Sequence, residues 1–172
     1  MYFAAIFSPL LGFFILFFFG FFFGRRLSIF FSILCMFFSF IFSWFIFYEV
    51  IFSSNSVVIE LFNWMLFNSF EIKLGFFFDT LTSIMLCVIT IISFFVHLFS
   101  KGYMLADKRI ILFFSYLSLF TFFMLLLVTS NNFLQMFIGW EGVGLCSYLL
   151  ICFWYTRILA IKLLWKLWLW IG

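Results

Sequence analysis

Charge is what this chain has least of: 9% of its 172 residues are Asp, Glu, Lys or Arg, against 69% hydrophobic residues and a mean hydropathy of +1.36. A water-soluble domain of this length has too little polar surface to cover so much apolar area, so a membrane protein is the class the composition leaves. The net charge of +3 comes without a basic, aromatic-interleaved aqueous segment, which argues against a nucleic-acid partner. Histidine occurs once, at His97, and the four cysteines, Cys35, Cys87, Cys146 and Cys152, form no C-x-x-C pair. They read as inert buried thiols, with neither metal site nor disulfide expected. There is no G-x-G-x-x-G either, so no nucleotide, haem, iron–sulfur or other cofactor site is expected in this chain.

Phenylalanine supplies 36 residues, concentrated in tracts such as 13–23 that read as lipid-facing helix. Five apolar runs approach the ~20 residues a bilayer requires: Phe3–Phe23, Leu27–Tyr48, Phe77–Ser100, Ile110–Ser130 and Phe133–Thr156. The first is no secretory signal, because Arg25 and Arg26 follow it, no basic residue precedes it and a small-residue cleavage site is missing. Arg25, Arg26, Lys101, Lys108, Arg109, Arg157, Lys162 and Lys166 all fall on one side of these spans; Lys73 falls on the other. The positive-inside rule makes the first side the matrix or cytoplasmic one and puts the N-terminus opposite.

Between the second and third spans, 49–76 forms an outside loop. Phe70, Ile72 and Leu74 alternate there with Glu71, Lys73 and Gly75, and Val57-Val58-Ile59 lies upstream. That period of two predicts a β-hairpin turning near Asn68. Residues 157–172 are too short to span, and with Lys162 and Lys166 four apart and three tryptophans they predict an interfacial helix. The expectation is a single all-α membrane domain over 1–172: five transmembrane helices, a short outside β-hairpin and a C-terminal interfacial helix.

Glu141 is the one charge in the 24 residues from Phe133 to Thr156. A charged side chain at the centre of a spanning helix costs roughly 2.5–3.5 kcal/mol on insertion scales, and such residues mark ion or proton paths. It stands about 12 Å into its helix at 1.5 Å per residue. Gly139, Gly142 and Gly144 surround it and let neighbouring helices approach the acid closely. The competing reading is a protonated side chain that only bonds a neighbouring helix. Tyr148, seven residues on, shares its face and extends a polar path. Asp79 opens the third span either as a helix cap or as a proton exit. His97, near the basic end of that span, is either structural or a relay. Gln135, Asn131 and Asn132 read as interfacial turn residues.

From about Gly75 to Lys166 the chain resembles the chain 5 family of NADH–ubiquinone oxidoreductase, the distal antiporter-like subunits of respiratory complex I. The resemblance is carried by Phe78-Asp79-Thr80-Leu81-Thr82, by Val96-His97-Leu98-Phe99-Ser100-Lys101-Gly102-Tyr103-Met104, by 115–124 and by Gly139-Trp140-Glu141-Gly142-Val143-Gly144-Leu145-Cys146-Ser147-Tyr148. The first 55 residues resemble the family only in hydrophobicity. The resemblance implies proton translocation coupled to NADH:ubiquinone electron transfer in the inner mitochondrial membrane, with no redox centre in this chain. It places Glu141 at the family's proton-channel glutamate, whose lysine partner belongs to a helix further along the family's five-helix repeats. Implied partners are the lipid bilayer, chain 4 and other complex I subunits, and a second polypeptide carrying the rest of chain 5. A subunit of a stand-alone cation/proton antiporter and a structural membrane piece without a cycling proton are the alternatives.

Overall fold

Long apolar runs without interior breakers become helices because, in hydrocarbon, every backbone N–H and C=O must be satisfied within its own segment. The computed structural model describes residues 1–53, 56–67, 70–104, 107 and 109–154. Helix α1 (Tyr2–Phe14) continues through a π-helical turn, Ile15–Phe19, into α2 (Gly20–Ser53). The chain reverses at Gly24, whose φ of 75° suits glycine and strains any residue with a Cβ. Then follow strands β1 (Val57–Phe67) and β2 (Phe70–Phe78), helices α3 (Thr80–Tyr103), α4 (Ile110–Val128) and α5 (Phe133–Ile151), and a 3-10 turn at Cys152–Trp154.

Five helices are long and apolar enough to cross a membrane, as expected, with shifted ends. The second runs to Ser53, past the expected stop at Tyr48, because nothing in Glu49–Ser53 breaks a helix. The third starts at Thr80; Phe77 and Phe78 pair in β2. The fifth is α-helical to Ile151. Residues 155–172, with Arg157, Lys162, Lys166 and the expected interfacial helix, lie outside the described residues, as does the expected turn at Asn68-Ser69.

The antiparallel hairpin pairs Val57 with Phe78 and Phe67 with Phe70, and its register slips between Glu60 and Phe62 and between Asn63 and Met65. Both strands are longer than the alternation predicts. The Phe77 N–H donates to the Thr129 carbonyl at 2.9 Å, the Gly75 N–H to Gln135 Oε1 at 3.3 Å, and the Asn132 side-chain amide to the Lys73 carbonyl. Gln135 is therefore a buried acceptor for the hairpin. Phe76 and Phe78 sink among Ala5, Ile6, Ile46, Val50, Leu86, Phe122 and Leu125. Burial of side chains this size is worth roughly 1.5–3 kcal/mol each at a wet surface.

Along α2 the buried stripe is Ile29, Ser32, Met36, Ser39, Ser43, Ile46 and Val50, alternating three and four residues. That stripe faces α4, α1 and α3 in turn, and small serines in it let backbones approach. Ser39 donates to the Ala5 carbonyl at 2.6 Å, and Ser43 shares a 2.7 Å bond with Thr90 Oγ1. Helices α1–α4 form the bundle, with α5 flanking α4. Lys73 stands at the hairpin end, whereas Arg25, Arg26, Lys101 and Arg109 gather at the other, where the Arg109 guanidinium lies 5.3 Å from the centre of the Phe153 ring.

Candidate functional site

Helix α5 meets α4 along a face of small residues. Gln135, Gly139, Gly142 and Cys146 recur at helical spacing, and all four are buried. A Cβ on Gly139 would fall 2.8 Å from Leu127 Cα, and one on Gly142 would fall 2.3 Å from the Phe123 ring. These glycines are already occupied by this chain's own α4. The expectation that they open an approach to the acid is thereby corrected: at about 100° per residue Glu141 lies about 160° round the helix from Gly139.

Glu141 is half-buried, and its face carries Leu134, Phe137, Leu145 and Tyr148, all exposed. It stands eight residues from Phe133 and ten from Ile151, near mid-depth of the helix. Among the described residues none forms a hydrogen bond or ion pair with its carboxylate. The arrangement is a carboxyl at mid-membrane height, set in an apolar surface next to one phenol and turned away from the bundle.

The other sequence-predicted residues are elsewhere. Asp79 is the N-cap of α3: its Oδ1 accepts from the Thr80 N–H at 2.7 Å, and its own N–H donates to Thr82 Oγ1 at 2.6 Å. This reciprocal pair satisfies backbone donors that a helix start leaves open. His97 is fully buried between α3, α2 and α4. Its Nδ1 sits 2.7 Å from the Ser93 carbonyl and its Nε2 3.4 Å from Ser118 Oγ, which in turn lies 3.1 Å from Ser32 Oγ. Glu141 and Tyr148 thus share one face of α5, and neither Asp79 nor His97 joins them. Sequence reasoning missed Ser32 and Ser118, although hydroxyls at three-, four- and seven-residue intervals in apolar helices (28, 32, 39 and 43; 115, 118 and 121) are a usable signal.

Residues 64–114 match the family model described as NADH-ubiquinone oxidoreductase (complex I), chain 5 N-terminus, and 130–166, which include Glu141, match the one described as NADH:quinone oxidoreductase/Mrp antiporter, TM. The NADH-ubiquinone oxidoreductase chain 5 of Dictyostelium discoideum is 50% identical over 162 residues, which is 94% of this chain and 24% of that protein. Those of Phytophthora infestans and Arabidopsis thaliana are 51% identical over 157 residues and 48% over 162, again about a quarter of each protein (24%) and 91% and 94% of this chain. An alignment of 162 residues has to begin by residue 11, so the likeness reaches into α1 and α2 and is not confined to Gly75–Lys166. The chain spans about a quarter of the length of the curated relatives it matches.

Proposed function

Because the chain belongs to the family of NADH–ubiquinone oxidoreductase chain 5, we propose that it forms the N-terminal part of an antiporter-like subunit that moves protons across the inner mitochondrial membrane. The chain then works as a subunit of the proton-translocating NADH:ubiquinone reductase, with electron transfer taking place in other subunits.

The observation that carries this reading is the placement of Glu141, a lone acid at mid-depth on the face of α5 that α4 leaves uncovered. In this reading Glu141 takes up and passes on a proton as a counter-charge approaches its open face and withdraws. Tyr148, two helical turns on, extends the path with its hydroxyl. Asp79, engaged in its cap, and His97, enclosed in the bundle, are weaker members of the proton path in this reading. The counter-charge comes from a helix outside the described residues that packs on the Leu134–Phe137–Glu141–Leu145–Tyr148 face, carried by a second polypeptide that holds the rest of chain 5. Chain 4 and other complex I subunits are further neighbours. Intact mass analysis of the native assembly tests the two-polypeptide arrangement.

Glu141→Gln tests the proton role. Glutamine keeps the volume and hydrogen-bonding capacity and removes the titratable proton. The assembly is expected to form with proton pumping lost or strongly reduced per NADH oxidised. An assembled variant that pumps normally assigns Glu141 a structural role.

A further inference from the structure

We propose that His97, Ser118 and Ser32 form a second proton-binding site, a relay inside the α1–α4 bundle that is separate from Glu141. It extends the proton-translocating reading to a part of the chain that the Glu141 face does not touch.

The argument is a count of hydrogens. His97 is fully buried, with its ring edge-on to Phe114 at 5.8 Å between centroids. The Ser93 carbonyl, 2.7 Å from Nδ1, can only accept, so Nδ1 carries the ring hydrogen and Nε2 presents a lone pair. The group facing Nε2 is the Ser118 hydroxyl at 3.4 Å, and that hydroxyl donates its hydrogen to the Phe114 carbonyl at 2.9 Å. Ser32, also fully buried, has its hydroxyl 3.1 Å from Ser118 Oγ and donates to it. Every hydrogen in the cluster is then in use and Nε2 has no donor. One added proton completes the set: Nε2–H donates to Ser118 Oγ, while the Ser118 and Ser32 hydroxyls keep their acceptors.

The cluster lies toward the basic end, since His97 is six residues, about 9 Å, from the end of α3 at Tyr103. One turn from Ser32 in that direction is Ser28, whose hydroxyl is 2.8 Å from the Gly24 carbonyl and 3.1 Å from that of Gly20, at the turn between α1 and α2. In the transfer step the Ser118 hydroxyl turns from the Phe114 carbonyl to Nε2, and its O–H bond breaks as Nε2–H forms. The Ser32 proton restores the Ser118 hydroxyl, and a hydronium ion at the basic end restores Ser32 and leaves as water. The net change is one proton moved from that hydronium to the ring, which becomes a cation.

The surrounding elements bring no fixed charge among the described residues. Helix α1 contributes Gly12, α2 contributes Ser32 and the Cys35 thiol, α4 contributes Phe114 and Ser118, and Lys101 of α3, four residues on, is exposed. An uncompensated cation here is short-lived, which suits a relay better than a store.

Because His97 is the single histidine, 15N-histidine labelling of the full chain in phosphatidylcholine bilayers gives one ring to follow by solid-state NMR. The expected result is the neutral Nδ1–H form near pH 8, with reversible protonation of Nε2 on acidification while the helices persist. Ser118→Ala, which removes the acceptor for Nε2–H, should demand at least about tenfold more acid, and Ser118→Thr should restore the wild-type midpoint. Ser115→Ala, which loses only a bond to the Leu112 carbonyl, should not move it. A ring that keeps one neutral form until the helices melt, or one that titrates identically in Ser118→Ala, overturns the proposal. Neither outcome bears on Glu141.

Discussion

Gly139→Ala is the most incisive test of how α5 is held. A Cβ at this position would lie 2.8 Å from Leu127 Cα and 2.9 Å from Leu127 N and Cβ, whereas ordinary contact begins near 3.4 Å. Two of those three atoms are backbone, so no rotamer change relieves the clash. The helices must part by about 0.6 Å at the crossing, and gaps of 0.5–1 Å forfeit roughly a quarter to a half of each dispersion contact they open. Overpacking of this kind costs about 1–3 kcal/mol. In hydrocarbon little else draws the two helices together, because lipid competes equally for apolar surface. Gly102→Ala is the control: a Cβ there meets nothing within 4 Å, and alanine in a helix is favoured by roughly 0.5–1 kcal/mol. Unfolding free energies measured by steric trapping in bicelles should therefore fall for Gly139→Ala and hold or rise for Gly102→Ala. Equal stability for the two variants would refute the close crossing of α4 and α5, and with it the outward orientation of Glu141.

Gly24→Ala forces a side chain onto a φ of 75° and should cost about 1–3 kcal/mol in the same assay; an unchanged value would mean the turn between α1 and α2 is made differently. Asp79→Ala should lose about 0.5–2 kcal/mol of α3 stability, with Asp79→Asn recovering most of it, since either side chain caps a helix; an Asn variant as damaged as Ala would show that the charge itself matters. Amine-reactive labelling of oriented membranes should reach Lys73 from the intermembrane side and Lys101 from the matrix side, and both residues labelled from one side would undo the topology.

The helices were legible because hydrocarbon leaves a backbone few options, and the hairpin was legible because Phe70-Glu71-Ile72-Lys73-Leu74 alternates so plainly. Their ends were not. Whether Phe77-Phe78 finish a strand or begin a helix is decided by Thr129, 52 residues from Phe77, whose carbonyl takes the Phe77 N–H. Glu141 announced itself by charge, yet its orientation depended on which neighbour claimed the glycines, a fact about Leu127 and Phe123 that local sequence does not contain. The serines of α2 were overlooked because one hydroxyl among phenylalanines reads as noise. Only the recurrence of Ser28, Ser32, Ser39 and Ser43 on the buried side gives it meaning.

The double tether of α5 has a mechanical consequence. At one end the hairpin is stapled to it through Gln135 and Asn132; at the other, Phe153 is clasped by Arg109 and the edge of Phe113. Between them Gly139 and Gly142 lock the shaft against α4. An arm pinned at both ends and along its length is a stator. In the proposed proton-translocating reading, Glu141 is mounted on the stationary part, so any stroke that changes its distance from a cation has to be made by whatever packs against its open side.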